Sequence, residues 1–260
     1  MKVLILPDAA AVTARAADLV ADQLAVQPDM VLGLATGGTM VPLYDELVRR
    51  YRDGLLSFAA VTSFNLDEYI GLASSHPCSY HSYMMKALVE LTDMQCERVY
   101  LPRGDAPDPL AEAARYEEKI RAAGGIDLQL IGIGANGHIG FNEPHSSLQS
   151  RTRIEKLTAS TRAANLQFFE HEDDVPRFAI TIGIATILDA RSCLLLATGA
   201  AKAAAVAAMI EGPLSAACPA SALQMHPRVT IILDCAAASQ LRLTDHYDHG
   251  HIEVSDRTVS

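Results

Sequence analysis

Four polar side chains with acid–base or hydrogen-bonding capacity crowd into one glycine-rich stretch: Asn136, His138, Asn142 and Glu143, set among Gly132, Gly134, Gly137 and Gly140. An imidazole near a carboxylate can carry a proton, with carboxamides orienting it. Glycines allow the backbone to turn sharply or to approach a ligand closely. The apolar run before them, residues 128–133, suits a strand buried on both faces of a parallel sheet. Polar groups just past the carboxyl end of such a strand lie where open α/β sheets bind their ligands. The spacing Gly132-x-Gly134-x-x-Gly137 also fits the dinucleotide fingerprint, but that motif needs a helix to open at its glycines. Gly140, Asn142 and Pro144 leave no room for one. Glu155 stands about 20 residues on, where a ribose-binding acid would be, yet the polar residues between read as loop. A catalytic loop carrying His138 and Glu143 fits better than a nicotinamide site.

Three further groups follow strand-like runs. Residues 30–34 lead into Thr36-Gly37-Gly38-Thr39, and Pro42 suits the start of a helix. This is either an anion site, with free N–H groups and a helix dipole aimed at one spot, or an ordinary strand-to-helix turn. Without a following Gly-Lys-Ser/Thr it is no Walker A loop. Residues 60–65 end at Asp67 and Glu68. Successive residues point different ways, so at most one of these carboxylates faces the crevice as a base; the other reading is solvated surface. Lys202 opens a helix predicted over 200–210, a place unfavourable to a cation unless an anion is bound there.

The elements that must position these groups alternate. Strands are predicted at 2–6, 30–34, 60–65 and 128–133, as a short one entered from the polar loop within 145–156, and at 178–182, 194–197 and 229–233. Helices fill the gaps: one after a cap at Asp8, one from Ser79 to 91, one from Asp108 to 123 ended by Gly124-Gly125, with Glu112, Glu117 and Glu118 toward solvent, and one capped by Thr161 that holds Arg162. Residues 76–83 are either a lid or a helix start. The pattern implies a doubly wound, mostly parallel sheet with helices on both faces, a Rossmann-like three-layer arrangement, in one domain over 1–260. All candidate groups would then gather at one sheet edge.

The composition narrows the functional classes. A net charge of -10 and the absence of Trp argue against nucleic acid. No apolar run could span a bilayer, and the short apolar N-terminus reads as a first strand, so a cytoplasmic location is expected. Five scattered cysteines without a Cys-x-x-Cys pair suggest reduced thiols, neither a disulfide frame nor a zinc site. Residues 245–260, with three histidines between 246 and 251, read as a mobile polar tail or, less simply, a metal site.

The motifs together resemble the glucosamine-6-phosphate deaminase (glucosamine-6-phosphate isomerase) family over nearly the whole chain. The matching segments are Leu34-Ala-Thr-Gly-Gly-Thr39, Phe64-Asn-Leu-Asp-Glu-Tyr69, Gly134-Ala-Asn-Gly-His-Ile-Gly-Phe-Asn-Glu-Pro144, Ser150-Arg-Thr-Arg-Ile154 and Thr198-Gly-Ala-Ala-Lys202. The resemblance implies conversion of glucosamine 6-phosphate and water to fructose 6-phosphate and ammonia, in N-acetylglucosamine catabolism, with no metal and no cofactor. It implies that Asp67 shuttles the proton between C2 and C1, and that His138 assists ring opening, placed by Asn136 and Glu143. Thr36, Gly37, Gly38, Thr39, Gly137, Arg162 and Lys202 would hold the phosphate and sugar.

Two departures carry consequences. Asn136 stands where some members have Asp, which implies a less basic His138. Members activated by N-acetylglucosamine 6-phosphate use a serine, an arginine and a lysine; Ser146 and Arg153 match, but Glu155 replaces the lysine and would repel a phosphate. A weak or absent allosteric response is therefore expected. The family includes monomers and hexamers, so a homo-oligomer is one of two outcomes. The rivals are galactosamine-6-phosphate deaminase, a 6-phosphogluconolactonase-like hydrolase, for which Asp67 would have no purpose, and a catalytically silent sugar-phosphate sensor.

Overall fold

The computed structural model describes residues 1–247. Seven strands form the main sheet: β1 (Lys2–Leu6), β2 (Val31–Leu34), β3 (Thr62–Asn65), β5 (Val99–Tyr100), β6 (Leu128–Gly132), β9 (Ser192–Ala197) and β10 (Val229–Asp234), in the order β1-β10-β9-β6-β2-β3-β5. Every pairing in it is parallel. Burial on both faces explains why these strands read as unbroken apolar runs: all of β2, and β9 after its first residue, is buried. Three more strands, β4 (Asp67–Tyr69), β8 (Phe178–Thr181) and β7 (Arg153–Lys156), form a separate antiparallel sheet. The expected strand at 178–182 is thus present, but outside the parallel sheet.

Helices pack around the main sheet: α1 (Ala9–Val26), α2 (Met40–Arg52), α3 (Tyr80–Ala87), α4 (Pro109–Ala122), α5 (Ala159–Asn165), α6 (Ile184–Leu188) and α7 (Ala203–Ile210). Asp8 caps α1 by accepting from the Ala11 N–H at 2.8 Å. The helix read over 79–91 stops at Ala87, because Leu88 leaves helical geometry. The cap of α5 is Thr158, whose hydroxyl accepts from the Thr161 N–H, so Thr161 lies inside the helix. Lys202 belongs to a single 3-10 turn ahead of α7.

On α4 the expectation of solvent-facing glutamates fails for two of three. Glu112 is buried, accepting from the Arg103 N–H at 2.8 Å and pairing with Arg115. Glu117 accepts from the Thr152 N–H at 3.1 Å and the Thr186 hydroxyl at 2.9 Å. Helical periodicity places these residues near the apolar stripe but does not reveal polar partners arriving from distant loops.

The strand order places the site. After β2 the chain moves outward to β3 and β5, then returns to β6 beside β2 and steps away through β9 and β10. Neighbours β2 and β6 therefore send their connections in opposite directions, which opens a crevice at their carboxyl ends. The small sheet joins the same edge. Leu66, between β3 and β4, donates its N–H to the Leu34 carbonyl at 3.0 Å and accepts from the Ile182 N–H at 2.7 Å.

Candidate active site

Residues 36–39 follow β2 at the crevice. The Tyr44 hydroxyl, on α2, donates to the Ala35 carbonyl at 2.5 Å and fixes where this turn begins. Gly37 has φ +108°, a conformation open to glycine, and a Cβ built on Gly37 or Gly38 would meet nothing within 4 Å. Thr39 is the N-cap of α2, yet no side chain caps that helix. Uncapped first-turn N–H groups beside open space are what an anion cradle requires. The Thr36 side chain bonds the Tyr80 hydroxyl on α3.

The loop after β6 contains no helix. It folds back on itself: Gly134 donates to the His138 carbonyl at 2.9 Å, and Gly137, at φ +84°, donates to the Gly134 carbonyl at 3.0 Å. The His138 ring then lies flat over Gly134, where an ideal Cβ would fall 2.3 Å from Cε1. The Asn136 carboxamide joins the loop's two ends. Its oxygen accepts from the His138 N–H at 3.2 Å, and its nitrogen donates to Glu143 Oε2 at 2.9 Å. The same Oε2 stands 3.7 Å from His138 Nδ1. Burial holds the imidazole below its ordinary pKa, Glu143 opposes that, and the nearby Lys202 ammonium reinforces it. His138 is therefore neutral at physiological pH, with burial the leading cause. Burial also lowers the Lys202 ammonium's pKa.

Asp67 opens β4 and is buried. Its Oδ2 faces Gly140, whose ideal Cβ would lie 3.2 Å away and equally close to the Thr181 hydroxyl. The Phe141 N–H donates to that hydroxyl at 3.1 Å, so the base strand and the histidine loop meet through Gly140, Phe141 and Thr181. Burial first, then the Glu68 charge, pushes the Asp67 carboxyl up to about 8 against the opposing Phe141 N–H. Glu68 points elsewhere, accepting from the Tyr80 and His81 N–H groups.

A model of the family described as glucosamine-6-phosphate isomerases/6-phosphogluconolactonase matches residues 7–232. The chain belongs to this glucosamine-6-phosphate isomerase/6-phosphogluconolactonase family. A glucosamine-6-phosphate deaminase of Cellvibrio japonicus (strain Ueda107) is 53% identical over 249 residues, covering 96% of this chain and 95% of the relative. One of Shewanella loihica (strain ATCC BAA-1088 / PV-4) is 53% identical over 259 residues, covering 100% and 96%. The solved structure of a monomeric glucosamine-6-phosphate deaminase superposes with TM-score 0.91 at 46% identity, covering 93% of this chain and 100% of that one. A 6-phosphogluconolactonase from Trypanosoma cruzi shares the fold at TM-score 0.76 and 20% identity, covering 92% and 96%.

Within this glucosamine-6-phosphate isomerase/6-phosphogluconolactonase chain, some expected site residues take partners outside the pairs described above. Ser146, Arg153 and Glu155 form their own cluster. Arg153 donates to Ser146 Oγ at 2.9 Å, pairs with the Glu155 carboxylate, and donates to Asn142 Oδ1 at 2.8 Å. An internal carboxylate thus occupies the guanidinium. Arg162, on α5, donates to the Glu172 carbonyl at 3.1 Å, and among the described residues it bonds none of the other candidates. Of the expected tail, the described residues 245–247 end with the Tyr247 hydroxyl on Glu211 at 2.9 Å; the rest lies outside the described residues.

Sequence reasoning missed Thr158 and Thr181, and marked Asn142 without giving it a role. Thr158 donates its N–H and hydroxyl to Glu143 Oε1, both at 3.1 Å, while capping α5. A threonine just ahead of the short helical run 159–165 was the available signal. The buried Asn142 donates to the Ile139 carbonyl at 2.9 Å and the Ile182 carbonyl at 2.8 Å, locking the loop to the strand end. Nothing in the sequence marks Thr181, because its partners come from other parts of the chain.

Proposed function

We propose that the chain is a glucosamine-6-phosphate deaminase, which converts glucosamine 6-phosphate and water to fructose 6-phosphate and ammonia. The observation that carries this reading is the pairing of two bases at one crevice: Asp67, buried and held near 8, and the neutral His138 bracketed by Asn136 and Glu143. Relatives of about half identity that carry this name support it. The phosphate sits in the 36–39 cradle, with Lys202 supplying charge and Gly137 and Arg162 completing the sugar and phosphate contacts. The low basicity of Lys202 follows from burial, which a dianionic phosphate offsets.

The proposed steps use these groups in turn. His138 takes the anomeric hydroxyl proton and delivers it to the ring oxygen as the ring C–O bond breaks to give the aldehyde. Glu143 faces Nδ1, so a proton there leaves Nε2 as acceptor. Asp67 removes the C2 proton; the electron pair forms a C1=C2 enolamine and the carbonyl oxygen takes a proton from water. Asp67 returns the proton to C1, leaving a C2 iminium. The hydroxide left from that water adds at C2, the C–N bond breaks, and ammonia departs to leave the ketose. A base whose pKa lies near the working pH serves both proton removal and return.

A lactonase has no use for a C2 base, so buried Asp67 favours the deaminase over that branch of the family. We infer that Glu155, by occupying Arg153, removes activation by N-acetylglucosamine 6-phosphate, and that the whole chain acts as one catalytic domain. A monomer agrees with the structural neighbour described as monomeric; among the described residues no helix is long and apolar enough to cross a membrane.

The test measures ammonia and fructose 6-phosphate release from glucosamine 6-phosphate, beside galactosamine 6-phosphate and 6-phosphogluconolactone, each with and without the acetylated sugar phosphate. Equal molar release from the glucosamine substrate, hyperbolic and indifferent to the acetylated sugar, is expected. Lactone hydrolysis without ammonia release would sink the reading. Asp67→Asn should stop turnover and leave sugar-phosphate binding intact.

A further inference from the structure

Asp67 and Glu68 are neighbours on β4, and both are buried with relative exposures of 5% and 2%. Their carboxylates point to opposite sides. Asp67 faces Gly140 and Thr181 at the crevice. Glu68 sits in a socket of backbone donors: the Tyr69 and Tyr80 N–H groups on Oε1 at 2.9 and 3.0 Å, and the His81 N–H on Oε2 at 2.9 Å. Two of these donors are the first turn of α3. Behind the socket lies a separate cavity of about 270 Å³, also lined by Ser74, His81, Arg103 and Asp105.

This socket organises more than one element. Tyr80, fixed at its N–H by Glu68, stacks on Phe141 of the histidine loop with centroids 5.9 Å apart at 17°. Its hydroxyl meets the Tyr69 hydroxyl at 3.2 Å and the Thr36 side chain. One carboxylate thus ties β4, α3, the histidine loop and the anion turn together. We propose that Glu68 is a positioning residue for the reaction, which anchors Tyr80 against these parts and presses a buried negative charge on Asp67 from the far side of β4. The proposal rests on the reading of Asp67 as the base.

The surrounding charges are consistent with that second role. Around Glu68 stand Tyr69 on its own strand, Tyr80 and His81 on α3, and Arg103 and Asp105 beyond β5. Arg103 pairs with Asp105 at 3.4 Å, so its charge is shared. Around Asp67 stand Tyr69, Tyr80 and, from α4, Tyr116. Burial raises the Glu68 carboxyl to about 7 against the N–H donors that lower it, so its charge is present above that pH, where Asp67 titrates. Backbone dipoles, rather than a cation, meet that charge, which is the second cause, after burial, of the high Asp67 pKa.

The experiment compares the pH profile of kcat/KM for glucosamine 6-phosphate in wild type, Glu68→Gln, Glu68→Asp and Asp67→Asn, with thermal melting of each. Glu68→Gln removes the charge at constant size. Its acid limb should move to lower pH by at least about half a unit, a threefold gain in ionised base on that limb. Glu68→Asp keeps the charge, so its limb should stay with wild type while the shortened side chain lowers the melting point. A Glu68→Gln limb that overlies wild type, at whatever rate, overturns the proposal. Should Glu68→Gln not fold, the Asp67 carboxyl carbon is titrated in 13C-aspartate-labelled wild-type protein, assigned by its loss in Asp67→Asn. A raised, two-step titration is expected, because coupled carboxylates lose protons in joint steps; one step in the ordinary carboxylate range overturns the proposal. If Asp67→Asn keeps wild-type turnover, the base reading fails and this proposal with it. An inactive Asp67→Asn beside an unmoved Glu68→Gln limb leaves the base reading standing and refutes only the role of Glu68.

Discussion

Replacing Gly134 by alanine should disable the enzyme without unfolding it. The new Cβ would lie 2.3 Å from His138 Cε1, 2.4 Å from Nδ1 and 2.5 Å from Nε2, so it meets the whole ring. Ordinary carbon contacts begin near about 3.5 Å, so the imidazole must retreat by about 1 Å. A displacement of that size at a reacting group costs up to about 100-fold, or about 2.7 kcal/mol of activation free energy. Gly134 is not among the glycines with positive φ, so alanine adds no backbone strain there. The loss should therefore appear in kcat, with KM nearly unchanged and the melting temperature within a few degrees of wild type. Gly132→Ala is the matched control: its Cβ would meet Met40 Cε at 3.8 Å, an ordinary contact. Steady-state kinetics on glucosamine 6-phosphate decide the matter. A Gly134→Ala enzyme with wild-type kcat would refute the placement of the working imidazole over this glycine.

Further outcomes follow from the same geometry. The Asp67 carboxyl is pushed up to about 8 in the folded chain against an ordinary value of 3.8, so the folded state holds a proton that the unfolded state gives up, and stability falls as pH rises between those values. Asp67→Asn should thus be more stable than wild type at pH 9, on the order of a few kcal/mol, and the gain should vanish near pH 4, as read by urea melts. In wild type, kcat/KM should rise with pH through about 8 as Asp67 ionises. Glu117→Ala strands the Thr152 N–H and the Thr186 hydroxyl, and should cost roughly 2–4 kcal/mol in chemical denaturation. Lys202→Gln should raise KM at least about tenfold, the loss of a charge-assisted phosphate contact, with little change in melting temperature; an unchanged KM would remove Lys202 from the phosphate site.

The local elements and the order of the chain's motifs were legible in the sequence because they rest on short-range physics. Buried parallel strands announce themselves as apolar runs such as 128–133, and the cap at Asp8 needs only the next three residues. The histidine loop could be separated from a dinucleotide motif because Pro144 and its glycines deny a helix. What the one-dimensional pattern did not decide was every contact made by residues far apart in sequence. That Asp67 turns to the crevice while Glu68 turns to α3 depends on antiparallel pairing with Thr181 and Ile180, more than a hundred positions later. The apparently solvent-facing Glu112 is buried and Glu117 half-buried because loops at Arg103 and Thr152 return to them. The basicity of Asp67 and the neutrality of His138 are likewise tertiary properties: residue type supplies the proton-carrying group, and burial by the assembled sheets sets where it titrates.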